Sequence, residues 1–84
     1  MTPVNFNQLY YFYLVAKEGS IARVSEQLHV TAQTISGQLT AFEHAVGSPL
    51  FLRQGKKWTV TELGKVTFRY AEDIFRLGDE LKQV

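Results

Sequence analysis

The sequence predicts a small, mainly α-helical fold in which one β-hairpin precedes the last helix. Apolar residues recur at intervals of three and four along most of the 84 residues, and this spacing gives way to short apolar runs around a glycine turn near residue 55. The 45% content of apolar residues suits one hydrophobic core, and the absence of cysteine excludes disulfides. We therefore expect a single core that folds without cross-links.

Two helices are predicted at the start of the chain. The first, over residues 5–18, is rich in aromatic residues and ends at Gly19. The second, over residues 20–28, begins at Ser20, which has the type of side chain that caps a helix N-terminus. A glycine between two helical runs therefore marks the first change of direction.

A third helix is predicted over residues 31–46. Thr31 can cap its N-terminus, and Val30 and Ile35 occupy the two positions of a hydrophobic staple. The apolar residues spaced to share one face of this helix are Ile35, Leu39, Phe42 and Val46. Gly47, with a proline two residues later, supplies the stop signal. The second and third helices are thus joined by a tight turn.

A β-hairpin and a long helix follow. Residues 50–53 and 58–60 predict two short strands around a turn at residues 54–57. Thr61 then opens a helix over residues 61–84, in which seven apolar residues form a heptad-like seam. The members of this seam are Leu63, Val66, Tyr70, Ile74, Leu77, Leu81 and Val84. The pattern has no stop signal, so the last helix is expected to continue.

This order of elements is that of a winged helix-turn-helix, with a three-helix core, a two-stranded wing and a long linker helix. We assign residues 1–60 to the winged helix-turn-helix and residues 61–84 to the linker and dimerisation helix. In this fold the third helix enters the major groove of DNA. The fold therefore predicts a DNA-binding function, which the residue types of the third helix can test.

The outer face of the third helix carries residue types that read base edges. Opposite its apolar face lie Gln33, Gly37, Thr40 and His44, flanked by Thr34 and Ser36, and no formally charged residue occurs between Glu26 and Glu43. Glutamine pairs with adenine through two hydrogen bonds, threonine contacts the thymine methyl, and Gly37 lets the backbone approach closely. A polar helix face that simply meets water is the alternative interpretation.

The predicted hairpin turn is basic. Arg53, Lys56 and Lys57 lie in a segment without acidic residues, which suits a wing that holds phosphate while the third helix reads bases. Residues 1–70 carry a net charge of +3 and residues 71–84 a net charge of −2, so the near-neutral total conceals a basic reader joined to an acidic helix. Taken alone, the basic residues of the hairpin could equally belong to a turn that simply meets water.

Apolar residues in the first and fourth helices exceed what one small core can bury. We expect the first half of the seam to pack on the first helix and the later residues to pair two protomers, with helix four of each protomer against helices four and one of the other. The dimerisation residues are Tyr70, Ile74, Leu77 and Leu81. A twofold dimer would place two third helices about one turn of DNA apart, roughly 34 Å, or a multiple of it, on a pseudo-palindromic operator.

Other classes of function find little support. The serines have no partnered His and Asp pattern and the acidic residues are scattered, so neither a catalytic site nor a cofactor is predicted. His29 and His44 have no third ligand near them, so no metal site is predicted. The absence of a basic leader before Lys17 and of a bilayer-length apolar run indicates a cytoplasmic protein. A winged helix that pairs proteins without reading DNA remains the alternative.

Several runs, in this order and spacing, resemble the N-terminal DNA-binding domain of LysR-type transcriptional regulators over nearly the whole chain. They are Gln8–Phe12, Glu18–Ser20, Glu26–Thr31, Ile35–Leu39, Phe42–Glu43, Gly47, Leu50–Arg53 and Thr61–Gly64. Each run is degenerate alone, but their combination is specific. Within the family, five runs look most like activators of a sodium/proton antiporter gene: Tyr10–Phe12, Lys17–Ser20, Gln33–Ile35, Gly37–Gln38 and Arg69–Ala71.

The resemblance implies a DNA-binding regulator with a dimerising linker helix, a tetramer as a further assembly of the full-length protein, and a C-terminal effector-binding domain absent from this chain. Carried over by position, the DNA contacts are Ala32, Gln33, Ser36, Gly37 and Arg53. The full candidate set adds Ser20, Thr31, Thr34, Thr40, Lys56 and Lys57. Many members have Gln-Pro at positions 32–33 and arginine at position 37, so the operator sequence does not transfer.

Overall fold

Four helices and one antiparallel hairpin follow one another in the predicted order in the computed structural model, which describes residues 4–55 and 57–84. The elements are α1 (Phe6–Glu18), α2 (Ile21–Leu28), α3 (Ala32–Val46), β1 (Phe51–Gln54), β2 (Lys57–Val60) and α4 (Glu62–Lys82). The pairing of Phe51 with Val60 and of Gln54 with Lys57 makes the turn tighter than predicted. Leu50, predicted to begin the first strand, lies outside β1, and its N–H donates to the Glu43 carboxylate.

The helices begin at side chains that accept a hydrogen bond from their own first turn. Ser20 Oγ accepts from the Arg23 N–H at 3.3 Å, Thr31 Oγ1 from the Thr34 N–H at 3.1 Å, and Thr61 Oγ1 from the Gly64 N–H at 3.0 Å. Asn5 caps α1 in the same way. The predicted starts are confirmed, because N-terminal capping depends only on residues within one turn.

The ends of the first three helices lie at residues with left-handed backbone. Gly19 ends α1 with φ +70°, and Gly47 ends α3 with φ +89°. His29 ends α2 with φ +56°, so this histidine lies in the turn between α2 and α3. These three positions reverse the chain so that α1, α2 and α3 pack around one core.

The core is centred on Phe12 of α1. Its ring lies 5.8 Å from that of Phe42 in α3 and 5.2 Å from that of Phe51 in β1. The buried apolar residues are Leu9, Phe12, Val15, Val24, Ile35, Leu39, Phe42, Leu50, Phe51 and Ala71. Val46, predicted to share the buried face of α3, is 41% exposed, because it is the last residue of the helix, one turn beyond Phe42. The helix and the hairpin therefore share one hydrophobic centre.

The face of α4 that packs on α1 differs from the predicted one. Gly64 and Ala71 are buried, and the rings of Phe68 and Phe75 both contact Tyr13 of α1 at 5.3 Å. The prediction that the first half of the seam packs on α1 is therefore wrong. Gly64 and Ala71 are small enough for α4 to lie close to the other elements of its protomer. The rings of Phe68 and Phe75, in the same row, complete the contact with α1.

The apolar seam of α4 is consequently exposed along its whole length. Tyr70 is 68% exposed and Leu81 is 74% exposed, and the members between them are exposed as well. Gly64 lets the other side of the helix lie close to Leu50, since a Cβ at this position would collide with the Leu50 carbonyl oxygen. In the described part of the chain, no helix is both long and apolar enough to cross a bilayer.

Candidate nucleic-acid interface

The outer face of α3 is open, and most of the residues predicted to read DNA lie on it. Thr31, Ala32, Gln33, Thr34, Gly37 and Thr40 are exposed, and Ser36 is half-buried. The hydroxyls of Thr31 and Thr34 lie 2.8 Å apart and form a hydrogen bond. The first turn of α3 is thus held by its own side chains, while the uncharged face beyond it is available to a ligand.

Gly37 lies on this face at a position where the packing of the fold does not require a glycine. A Cβ at this position would meet no atom within 4 Å among the described residues. Glycine inside a helix is less favourable than alanine by about 0.5–1 kcal/mol. Intramolecular packing offers no compensation, so this glycine suits a surface that something outside the chain approaches closely.

The hairpin exposes two of the predicted basic residues, Arg53 and Lys57. Lys57 is exposed at the first position of β2, and Gly55 turns the chain with φ +64°. Lys56 lies outside the described residues. Arg53 pairs with Trp58 across the two strands, and its guanidinium lies 4.2 Å from the centre of the indole ring. This cation–π contact holds Arg53 against β2, one residue pair from the turn of the wing.

Glu43 and Trp58 are residues of the site that the sequence reasoning missed. Glu43 Oε2 accepts hydrogen bonds from the N–H groups of Leu50 at 2.7 Å and Phe51 at 3.2 Å. Its other oxygen lies 4.0 Å from the Arg53 guanidinium. The signal available in the sequence was the position of Glu43 as the first acidic residue after the uncharged run of α3.

A groove connects α3 with the wing and has a volume of about 490 Å³. It is lined by Thr40, Glu43, His44, Gly47, Ser48, Pro49 and Arg53. Two predicted DNA-binding residues, Thr40 and Arg53, therefore share one concave surface, together with His44. Ser20 lies apart from this groove, at the N-terminus of α2, where helix N–H groups suit an anion.

The surface predicted for dimerisation lies on α4. Ile74 and Leu77 are exposed between Tyr70 and Leu81, and Phe6 of α1 is exposed too. On the same helix, Arg76 bonds to Asp73 at 3.1 Å and to Glu80 at 3.2 Å. The hydrogen bonds to these two carboxylates raise the pKa of the Arg76 guanidinium. The exposed apolar residues form a stripe with ion pairs beside it.

Comparison with known proteins identifies the family. A family model described as "Bacterial regulatory helix-turn-helix protein, lysR family" matches residues 6–65. The whole chain is 42% identical to the transcriptional activator protein NhaR of Escherichia coli (strain K12), and it spans 28% of the length of that relative.

The solved structures that share the fold include two DNA-binding domains. The DNA-binding domain of CbnR, solved as a DNA complex, matches with a TM-score of 0.85 and 30% identity, over 95% of this chain and 92% of that one. The DNA-binding domain of BenM, solved with benA site 1 DNA, matches with a TM-score of 0.87 and 22% identity, over 95% and 93%. These likenesses confirm the winged helix-turn-helix, and the family model shows that the chain belongs to the lysR family of bacterial regulatory helix-turn-helix proteins.

Proposed function

We propose that this chain is the DNA-binding part of a transcriptional regulator and that it reads duplex DNA as a dimer. The observation that carries the proposal is the exposed, uncharged face of α3, with Gly37 open at its centre, beside a hairpin that presents Arg53 and Lys57. A face for base edges and a basic wing for phosphates are the two parts that sequence-specific binding requires. The fold shared with two domains solved on DNA supports the same function.

In this proposal the residues divide by the part of DNA that they contact. Gln33 and Thr34 contact base edges, Ala32 contacts a thymine methyl, and Gly37 admits the groove wall. Ser36 and Thr40 extend this face toward the groove beside the wing. Phosphates are held by Arg53, Lys56 and Lys57, and by the helix N-termini at Ser20 and Thr31.

Two protomers pair through the exposed seam of α4. Tyr70, Ile74, Leu77 and Leu81 supply apolar contacts that one protomer leaves open to solvent. A twofold axis through this contact would present two α3 helices to a pseudo-palindromic operator. The division into a reader, residues 1–60, and a dimerisation helix, residues 61–84, follows from these two roles.

The biological role follows from the relatives. Because the chain spans 28% of NhaR, the rest of such a protein has room for an effector-binding domain and for contacts that build a tetramer. Five runs of this sequence resemble those of activators of a sodium/proton antiporter gene. The chain is also 42% identical to a protein named transcriptional activator. Both observations support activation of such a gene. A bacterial regulator of this kind acts on DNA in the cytoplasm.

Selection of binding sites from random duplexes with this chain tests the proposal. We expect enrichment of a twofold-symmetric motif whose halves lie about one helical turn apart or a multiple of it. The slope of log affinity against log salt should be about −4 if four to five phosphates are neutralised per dimer. No enriched motif, together with a flat salt dependence, would favour a protein-pairing adaptor instead.

A further inference from the structure

One carboxylate of α3, that of Glu43, lies against three donor groups of the segment that forms the first strand of the wing. Glu43 accepts the N–H groups of Leu50 and Phe51 through one oxygen, and its second oxygen faces the guanidinium of Arg53. Its side chain is only 18% exposed. Since Leu50 is fully buried, its N–H cannot turn to water, so the carboxylate fixes the point where the hairpin leaves α3.

Arg53 is held on two sides and open on a third. Its guanidinium lies over the indole of Trp58 at 4.2 Å and 4.0 Å from Glu43, yet 48% of the side chain is exposed. The distance to Glu43 is that of an ion pair and is too long for a hydrogen bond. The ion pair with Glu43 therefore orients the guanidinium, and its N–H groups remain able to donate hydrogen bonds to another group.

Trp58 connects this arrangement to the core. Its ring packs on Phe51 at 5.3 Å with an edge-to-face geometry, and Phe51 packs on Phe12 at 5.2 Å. The indole beneath Arg53 thus rests on the hydrophobic centre of the domain. Glu43, Trp58 and the two strands together leave Arg53 little freedom to move relative to α3.

We propose that Glu43 is a positioning residue for DNA recognition: it fixes the wing on α3 and orients Arg53 toward a phosphate while α3 meets the bases. This inference rests on the proposed function. Glu43 itself repels the DNA backbone, because its charge has the same sign as that of phosphate. The proposal therefore predicts that removal of this negative charge weakens DNA binding, which is opposite to the direct electrostatic effect.

The test measures the affinity of Glu43→Gln for the selected duplex over a range of salt concentrations. The amide oxygen still accepts the N–H bonds of Leu50 and Phe51, but the attraction for Arg53 is lost. We expect affinity about tenfold lower and a salt slope smaller by about 0.9, the value for one lost phosphate contact. The control is Glu62→Gln, which removes a carboxylate paired with Lys65 at 3.0 Å on α4 and should leave affinity unchanged or slightly raised.

A second set of variants asks whether Glu43 acts through Arg53. Arg53→Ala should match Glu43→Gln in affinity and salt slope, and the double variant should lose no more than Arg53→Ala alone. Trp58, the single tryptophan, should become more accessible to an iodide quencher in folded Glu43→Gln. If Glu43→Gln does not fold, Glu43→Asp keeps the charge on a shorter side chain, and it should lose affinity only in part.

The outcomes separate this inference from the proposed function. Affinity that rises in Glu43→Gln as in Glu62→Gln would overturn the positioning role. Losses that multiply in the double variant would overturn it as well, because Glu43 would then act independently of Arg53. If Arg53→Ala binds every duplex as tightly as the unaltered chain, the phosphate-holding wing of the proposed function itself fails.

Discussion

The substitution Gly37→Ala should move stability and DNA binding in opposite directions. Gly37 lies in the interior of α3, and an added methyl would meet no atom of the described chain within 4 Å. Alanine removes the conformational disadvantage of glycine and stabilises the helix by about 0.5–1 kcal/mol. For a domain of this size, that gain corresponds to a rise in Tm of roughly 2–8 °C.

The same methyl should weaken binding to the selected operator. A DNA atom in van der Waals contact with the Gly37 Cα would lie about 3.5–4.0 Å from it. The added carbon would then force α3 outward and lengthen the base contact of Gln33. A lost or strained base contact is worth about 1–3 kcal/mol, which is roughly a 5- to 150-fold fall in affinity.

Thermal unfolding and fluorescence anisotropy on a labelled duplex measure the two effects on one sample. Gly78→Ala is the matched control, since Gly78 also lies within a helix with open space at its Cβ position, but on α4. It should gain similar stability and keep the affinity. If Gly37→Ala is more stable than the unaltered chain and binds the selected operator equally tightly, the placement of DNA against this face is refuted.

Three further predictions concern the core, the interface and the dimer. Gly64→Ala should lower stability by about 1–3 kcal/mol in urea unfolding, because its methyl would collide with the Leu50 carbonyl; unchanged stability would mean that α4 is free to shift. Lys56→Ala with Lys57→Ala should weaken all duplexes alike in a binding titration, whereas Gln33→Ala should cost about 1–3 kcal/mol on the selected site only; equal losses on every duplex would show that α3 is not the reader. Leu77→Glu should sediment as a monomer, since it places a charge in the apolar seam, and a persisting dimer would locate the contact elsewhere.

The helix starts and the order of elements could be predicted because their causes are local. Thr31 caps α3 through the N–H of Thr34, three residues away, and Ser20 acts in the same way for α2. Residue type and spacing within one turn decide such contacts. The exposed face of α3 followed equally from helical periodicity, as the burial of Ile35 and Leu39 opposite Gly37 shows.

The packing face of α4 could not be predicted from spacing alone. Two rows of residues on this helix repeat at intervals of three and four, and the row with more large apolar residues is the exposed one. Gly64 and Ala71 belong to the other row, where their small size matters only once Leu50 and α1 lie against them. The apolar content of a row measures how favourable its burial would be. Which row of α4 is buried depends instead on which one lets the helix lie close to Leu50 and α1.

The contacts of Glu43 lay outside sequence reasoning for another reason. Glu43 and Arg53 are ten positions apart, and the chain between them turns at Gly47 and enters β1. Their approach depends on the angle at which the hairpin leaves α3, which no local pattern encodes. The Arg53 and Trp58 pair is different, since a tight turn at Gly55 implies that register across the two strands.

One row of α4 holds this helix on its own protomer, and the other row is open to a second protomer. Gly64 seats its first turn against Leu50, and Phe68 and Phe75 hold its middle on α1, while the 21-residue helix extends for about 31 Å. In a dimer paired through the exposed row, the N-terminal end of each α4 carries the DNA-reading part of its protomer, so a change of about 5° in the angle between the two helices moves that end by up to about 3 Å. That displacement is close to one base-pair step, so the crossing angle of the α4 helices would set the spacing between the half-sites.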